Sequence, residues 1–204
     1  MELVKAVGQN LRAARAHRSL SLSEVARRAD LGKGTLSELE SGRRNPTLET
    51  LYALATVLDV PLGHLLATGT DTTTDAPAVV RRSEMPQLSG QTVDVQLMDR
   101  TISDGRRLEI YRIRVRAGSR YLSPGHRPRV IEQLLVHSGT LEVGPHADPA
   151  TLGSGDYIRF DGSLDHLYSA PHDDVTGTLI MRYLDHDPGD TNETARPTGG
   201  TIAP

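Results

Sequence analysis

Apolar residues recur every three or four positions in the first third of the chain and at every second position thereafter. Val4, Val7, Leu11 and Ala14 keep helical spacing and predict a first helix over about Leu3 to His17. Ser21 and Glu24 read as an S-x-x-E capping box opening a second helix, with Val25, Ala26 and Ala29 as its narrow apolar face. Asp30-Leu31-Gly32 predicts a tight turn, with Leu31 as an apolar pin. A third helix then runs from about Lys33 to Ser41, burying Leu36 and Leu39 and ending at Gly42. Thr47 caps a fourth helix that buries Leu48, Leu51, Leu54, Ala55 and Leu58. Pro61 opens a fifth, ending near Leu66.

Residues 67–78, ATGTDTTTDAPA, carry no core-forming side chains and predict a linker. From Val79 the period falls to two. Val93–Leu97 and Tyr111–Arg116 alternate, and Glu132–Val136, Thr140–Val143, Asp156–Phe160, His166–Ser169 and Thr178–Leu184 are further strand-like runs between Gly, Pro and Asp. Many short strands predict a sandwich or small barrel, and about 105 residues suffice to close one core. The stretch from 186 to 204 is polar, rich in Gly, Pro and Thr, and expected to be disordered. The expected division is 1–67, a linker at 68–82, a β domain over 83–185, and the tail.

Two short helices joined by a Gly-bearing turn can place the second in the DNA major groove. Leu22-Ser23-Glu24-Val25-Ala26, Leu36 to Gly42, Pro46-Thr47-Leu48, and then Leu51, Leu54, Ala55, Leu58 and Val60 together resemble the Xre-type, phage-repressor-like helix-turn-helix family. The resemblance implies that the start of the third helix reads bases, through Lys33, Gly34, Thr35, Ser37 and Glu38. Lys33 can donate to guanine and Glu38 can accept from cytosine. Arg43, Arg44 and Asn45 would lie on phosphates. Gly34 departs from the polar reader common in the family. Arg15 and Glu40 match a structural salt bridge of the family, and Arg27 and Arg28 read as an exposed helix face.

His126, Glu132 and Gly139, followed by Gly155 and His166, resemble the paired motifs of the cupin family, a small jelly-roll barrel. Pro128 stands where the first motif has its second His, and Asp161 and Ser163 replace the usual Pro and Gly. The expected fold is thus a two-domain α + β chain: a five-helix Xre-type helix-turn-helix domain and a C-terminal cupin β-barrel. Carried over, His126, Glu132 and His166 form a two-His-one-carboxylate set. It would suit one divalent ion (Fe, Mn, Ni or Zn) or, without metal, the polar wall of an effector pocket. His137 is odd-spaced from Glu132 and belongs on the other strand face. Arg112, Arg114 and Arg116 form one strand face, either solvated or at an interface, or else a carboxylate-binding wall.

Composition narrows the function classes. There is no cysteine, hence no disulfide framework and no thiolate metal site. No apolar run reaches membrane-span length, and the N-terminus reads as an amphipathic helix rather than a signal peptide, so a soluble cytoplasmic protein is expected. Net charge is −3 overall, yet residues 1–70 hold 9 basic against 7 acidic side chains, which suits local groove binding by the front domain. The function implied is a DNA-binding transcriptional regulator, expected to act as a repressor. It would bind double-stranded DNA at a pseudo-palindromic operator as a homodimer, with the barrel sensing a small-molecule effector. The alternative is a cupin-type metal-dependent oxygenase or epoxidase carrying a helix-turn-helix domain.

Overall fold

The structure, a computed structural model, describes residues 2–67, 79–103, 106–126 and 129–184. Most of the expected linker, the tail from 186 and Pro128 lie outside these residues.

Among the described residues five helices form the head: α1 Glu2–His17, α2 Leu22–Arg28, α3 Lys33–Glu40, α4 Leu48–Leu58 and α5 Leu62–Leu66. Their apolar stripes meet in one core of Val7, Leu11, Val25, Leu36, Leu39, Leu51, Leu54 and Leu58, all at most 2% exposed. Each such side chain contributes roughly 1.5–3 kcal/mol on burial. Ser21 caps α2 by accepting the Glu24 amide hydrogen at 3.1 Å. Only half of the expected capping box forms, however. The Glu24 carboxylate is taken by Arg27 at 2.8 Å and Arg28 at 2.7 Å, because paired guanidiniums outcompete one backbone amide. Thr47 caps α4 through the Thr50 amide. Pro61 precedes the first helical residue of α5 rather than occupying it.

Four helix ends close in the same way. The residues after α1, α2, α3 and α4 that adopt positive φ are Ser19, Asp30, Gly42 and Asp59. In each case the next amide bonds back five residues, as in Leu31 to Ala26 and Val60 to Ala55. This is the Schellman arrangement, which satisfies carbonyls the helix leaves open.

Ten antiparallel strands follow among the described residues: β1 Gln87–Ser89, β2 Val93–Ser103, β3 Arg106–Val115, β4 Ser119–Ser123, β5 Val130–Ser138, β6 Leu141–Pro145, β7 Ala150–Leu152, β8 Tyr157–Asp161, β9 His166–Ala170 and β10 Val175–Tyr183. They form a six-stranded sheet in the order β1-β2-β3-β10-β5-β8 and a four-stranded sheet in the order β4-β9-β6-β7. The two inner faces share one core, which includes Val95, Ile113, Leu134, Val143 and Leu179. This is the expected small cupin-type barrel. β1, β4 and β7, three to five residues each, have no expected counterpart in the sequence pattern.

A bulge interrupts β2. Leu97 pairs with Tyr111 and Asp99 with Ile110, leaving Met98 unmatched. On the inner face Val93, Val95 and Leu97 therefore give way to Arg100 and Ile102, opposite Glu109 and Arg107.

The head rests on the barrel mouth. Both α4 and α5 touch β2. Glu49 on α4 accepts the Gln91 amide hydrogen at 2.7 Å. At Gly63 on α5 an added Cβ would lie 2.4 Å from Glu109 Oε1, so a larger residue would have to push that buried carboxylate aside.

Candidate functional site

α3 buries Leu36 and Leu39 and turns Lys33, Gly34 and Glu38 to solvent, with Thr35 and Ser37 half-buried. Arg43, Arg44 and Asn45 are exposed beyond its end, and Arg44 reaches back to Glu38 at 3.4 Å. The helix is braced from behind by Arg15. Its Nε and Nη2 donate to the two Glu40 oxygens at 2.7 and 2.9 Å, and its Nη1 donates to the Leu20 carbonyl at 3.0 Å. This is the expected structural pair, and its fork geometry fixes α3 against α1. Arg27 and Arg28 are exposed as expected, both tied to Glu24.

The three barrel residues converge, although 40 positions separate the first from the last. Glu132 comes from β5, His166 from β9 and His126 from the segment after β4. All three are buried, with their ligating atoms within 4.8 Å of one another. His126 Nε2 lies 2.8 Å and His166 Nε2 3.3 Å from Glu132 Oε1. Tyr168 donates to Glu132 Oε2 at 2.5 Å. Burial alone would raise the Glu132 carboxyl, but His166, His126 and Tyr168 outweigh it and bring it down to about 2. The group is therefore an anion at any ordinary pH.

His166 Nδ1 bonds the Leu164 carbonyl at 2.8 Å, which aims Nε2 inward. Buried Nε2 has no hydrogen-bond partner among the described residues. A divalent ion about 2.1 Å from each of two ligands at right angles would hold them about 3 Å apart, so the observed spacings fit one. The donor set of two imidazoles and one ionised carboxylate fits a first-row transition metal.

Two residues at this site were not anticipated. Tyr168 follows His166 by two on the same strand face, a spacing that could have flagged it. Tyr52 carries no such signal, since it comes from α4 in the other domain. Its ring stacks on His126 with centroids 5.0 Å apart and planes 18° apart, and its hydroxyl meets Met181 Sδ at 3.9 Å. With Tyr52 and Leu48 of α4 among its walls, the cavity over the three ligands leaves only about 20 Å³ for the centres of water-sized molecules. That is room for about one water or ion.

Elsewhere the expected faces hold. His137 is exposed and meets Thr178 Oγ1 at 3.2 Å, away from Glu132. Arg112 and Arg114 are solvated, the latter paired with Asp174. Half-buried Arg116 ties Asp94 to the Gly90 and Gln91 carbonyls. None of the three lines the barrel interior.

A third unanticipated group is Glu109 on β3, fully buried. Its Oε2 accepts from Tyr111 and Tyr183, each at 2.7 Å, and its Oε1 has no hydrogen-bond partner among the described residues. Burial pushes its carboxyl up, against the two tyrosine hydrogen bonds and the nearby Gly63 amide.

Residues 11–65 match the HTH_3 helix-turn-helix family model. Over 168 residues the chain is 27% identical to the HTH-type transcriptional regulator SutR of Escherichia coli (strain K12), spanning 81% of this chain and 88% of that protein. Over 74 residues it is 45% identical to the uncharacterized HTH-type transcriptional regulator y4dJ of Sinorhizobium fredii, spanning 36% of this chain and 94% of that one. The crystal structure of an HTH_3 family transcriptional regulator from Vibrio cholerae superposes with a TM-score of 0.69 at 23% identity, over 90% of this chain and 98% of the other, and so shares the two-domain fold. No helix among the described residues is long and apolar enough to cross a membrane. The chain belongs to the Xre-type HTH_3 helix-turn-helix family and is a DNA-binding transcriptional regulator whose second domain has a cupin-like β-barrel fold.

Proposed function

We propose that the protein is a cytoplasmic, effector-responsive repressor that reads a pseudo-palindromic operator as a two-fold dimer. The observation that carries the DNA-reading part is the Arg44–Glu38 contact, which sets the basic Arg43-Arg44-Asn45 segment beside the exposed face of α3. Lys33, Thr35, Ser37 and Glu38 then meet base edges, and Gly34 lets the backbone come close. Arg43, Arg44 and Asn45 hold phosphates. On DNA, Arg44 exchanges Glu38 for a phosphate and frees the carboxylate to accept from a base.

One head covers too little surface for tight specific binding. Two heads about 34 Å apart, one DNA turn, remove that limit, and the barrel supplies the dimer contact. His126 Nε2, Glu132 Oε1 and His166 Nε2 would hold one divalent ion (Fe, Mn, Ni or Zn). Bound there, it supplies a Lewis-acid centre with open coordination positions. The cavity of about 20 Å³ has no space for an organic substrate beside an ion. That supports a regulator over an oxygenase.

The test is selection of DNA from a random pool by the purified chain, with Lys33→Ala/Arg43→Ala as control. Enrichment of a symmetric motif by the wild type alone is expected. No enrichment, or an equal motif from the control, overturns the reading.

A further inference from the structure

The space over His126, Glu132 and His166 is walled by both domains. The three ligands belong to the barrel, whereas Leu48 and Tyr52 come from α4 of the head. Sites for organic molecules occupy roughly 300–1,000 Å³. About 20 Å³ is present here, which matches one ion or one water.

The two imidazoles are not equally ready for an ion. Nδ1 of His166 donates to the Leu164 carbonyl, so Nε2 of the neutral ring turns a lone pair inward, buried and without a hydrogen-bond partner among the described residues. His126 differs. Its Nε2 donates to Glu132 Oε1 at 2.8 Å, and that hydrogen has to leave before the nitrogen can act as a ligand. If the ring keeps its plane, the lone pair then points where the hydrogen did. The plane is set from the head. Tyr52 lies over the His126 ring, with centroids 5.0 Å apart and planes 18° apart, and its own hydroxyl rests on Met181 Sδ of β10 at 3.9 Å. On the barrel side the His126 ring meets that of His166 edge-on, with centroids 5.0 Å apart. His126 is thus shared: the site needs its nitrogen, and the head rests on its face.

We propose that Tyr52 is a positioning residue that couples the three-ligand site to head docking, and that the effector sensed by this regulator is a divalent first-row cation rather than an organic molecule. The proposal rests on the metal reading of His126, Glu132 and His166 given above. With the head docked, Tyr52 holds the His126 ring in the plane that coordination needs, so no ordering of that ring opposes binding. With the head released, the ring turns freely and affinity falls. By reciprocity, an occupied site favours the docked head by the same factor.

The probe is Ni²⁺, which a nitrogen and oxygen donor set binds more tightly than Mn²⁺ or Fe²⁺. It is titrated by calorimetry into the full chain after dialysis against EDTA. Docking is read by NMR from amide hydrogen exchange at Gln91, whose N–H donates across the interface to Glu49 at 2.7 Å. One Ni²⁺ per chain is expected, with exchange at Gln91 slowed at least fivefold. Tyr52→Leu should weaken Ni²⁺ binding at least fivefold and abolish the slowing. Tyr52→Phe, which keeps the stacked ring, should stay within twofold of the wild type. Gly63→Ala, which parts the domains at Glu109 and Tyr111 rather than at the ligands, should weaken Ni²⁺ binding as well. Affinity for DNA selected from the random pool should differ at least threefold between EDTA and Ni²⁺. Ni²⁺ affinity unchanged in both Tyr52→Leu and Gly63→Ala overturns the coupling, and DNA affinity indifferent to Ni²⁺ overturns the assignment of the effector. Absence of Ni²⁺ binding by the wild type, or binding undiminished in His166→Ala, instead sinks the metal reading and the proposal with it. The calorimetric and exchange arms need no DNA and stand apart from the selection experiment.

Discussion

Glu109 shows how one residue can carry both information and cost. Its burial lifts the carboxyl above the ordinary glutamate range, so in that window the native state binds more protons than the unfolded state. Stability is then fully present below the ordinary value and declines as pH rises through the raised one, at no more than about 1.4 kcal/mol per pH unit. Glu109→Gln has no proton to lose. In urea denaturation the two proteins should show a fixed stability difference near pH 4, and the glutamine variant should gain on the wild type from there toward pH 8. A difference that stays constant with pH would show that Glu109 does not titrate in this way. The residue was legible in principle: Glu109 shares parity with Tyr111, Ile113 and Val115, and a carboxylate on an inward strand face calls for an explanation. The His126, Glu132 and His166 set was legible only through the resemblance to the paired cupin motifs. Tyr52 was not, because periodicity places it on a helix stripe and says nothing of a second domain.

At the level of elements, the helices were read within a residue or two, since their apolar spacing and caps are local properties. Their ends were less legible. Gly42 announces a positive φ, but Ser19, Asp30 and Asp59 adopt the same conformation without a glycine to mark it. The strands were legible where apolar alternation runs for about five residues and lost in β1 and β7, three residues each, and in β4, whose SRYLS carries no such alternation. The bulge is the subtler miss. Strict alternation from Val93 would carry Asp99 and Thr101 inward, whereas Arg100 and Ile102 are the residues that follow on that face. Packing between α1 and α3 turns on Gly8, where an added Cβ would meet the Leu39 and Glu40 carbonyl oxygens at 2.6 and 2.8 Å. Backbone cannot yield there as a flexible side chain would. Gly8→Ala should cost about 1–3 kcal/mol despite the better helix propensity of alanine. It should also weaken DNA binding, because α3 moves against Arg15. A variant as stable as the wild type in thermal melts would refute this close packing.

For the molecule as a whole, the two-domain plan followed from the change of period near Val79, and the docking of one domain on the other did not. Docking depends on long-range contacts that no local pattern encodes: Glu49 on the Gln91 amide, Tyr52 on His126, and Gly63 against Glu109. The last offers a clean lever. Alanine suits the interior of α5, so Gly63→Ala leaves the head intact while its methyl group forces the Glu109 contact apart. Small-angle scattering should show a larger radius of gyration for this variant, with DNA binding by the head retained. An unchanged scattering profile would mean that the interface absorbs the methyl group.

The aromatic stack of Tyr52 on His126 sets a time scale as well as a shape. Whatever occupies the space over Glu132 has that ring in its path, so its residence time is governed by how often α4 lifts from the barrel, rather than by bond strengths at the site alone. Were an ion held there, its exchange would become a clock for head opening, slow while the domains stay docked and faster whenever the head lifts.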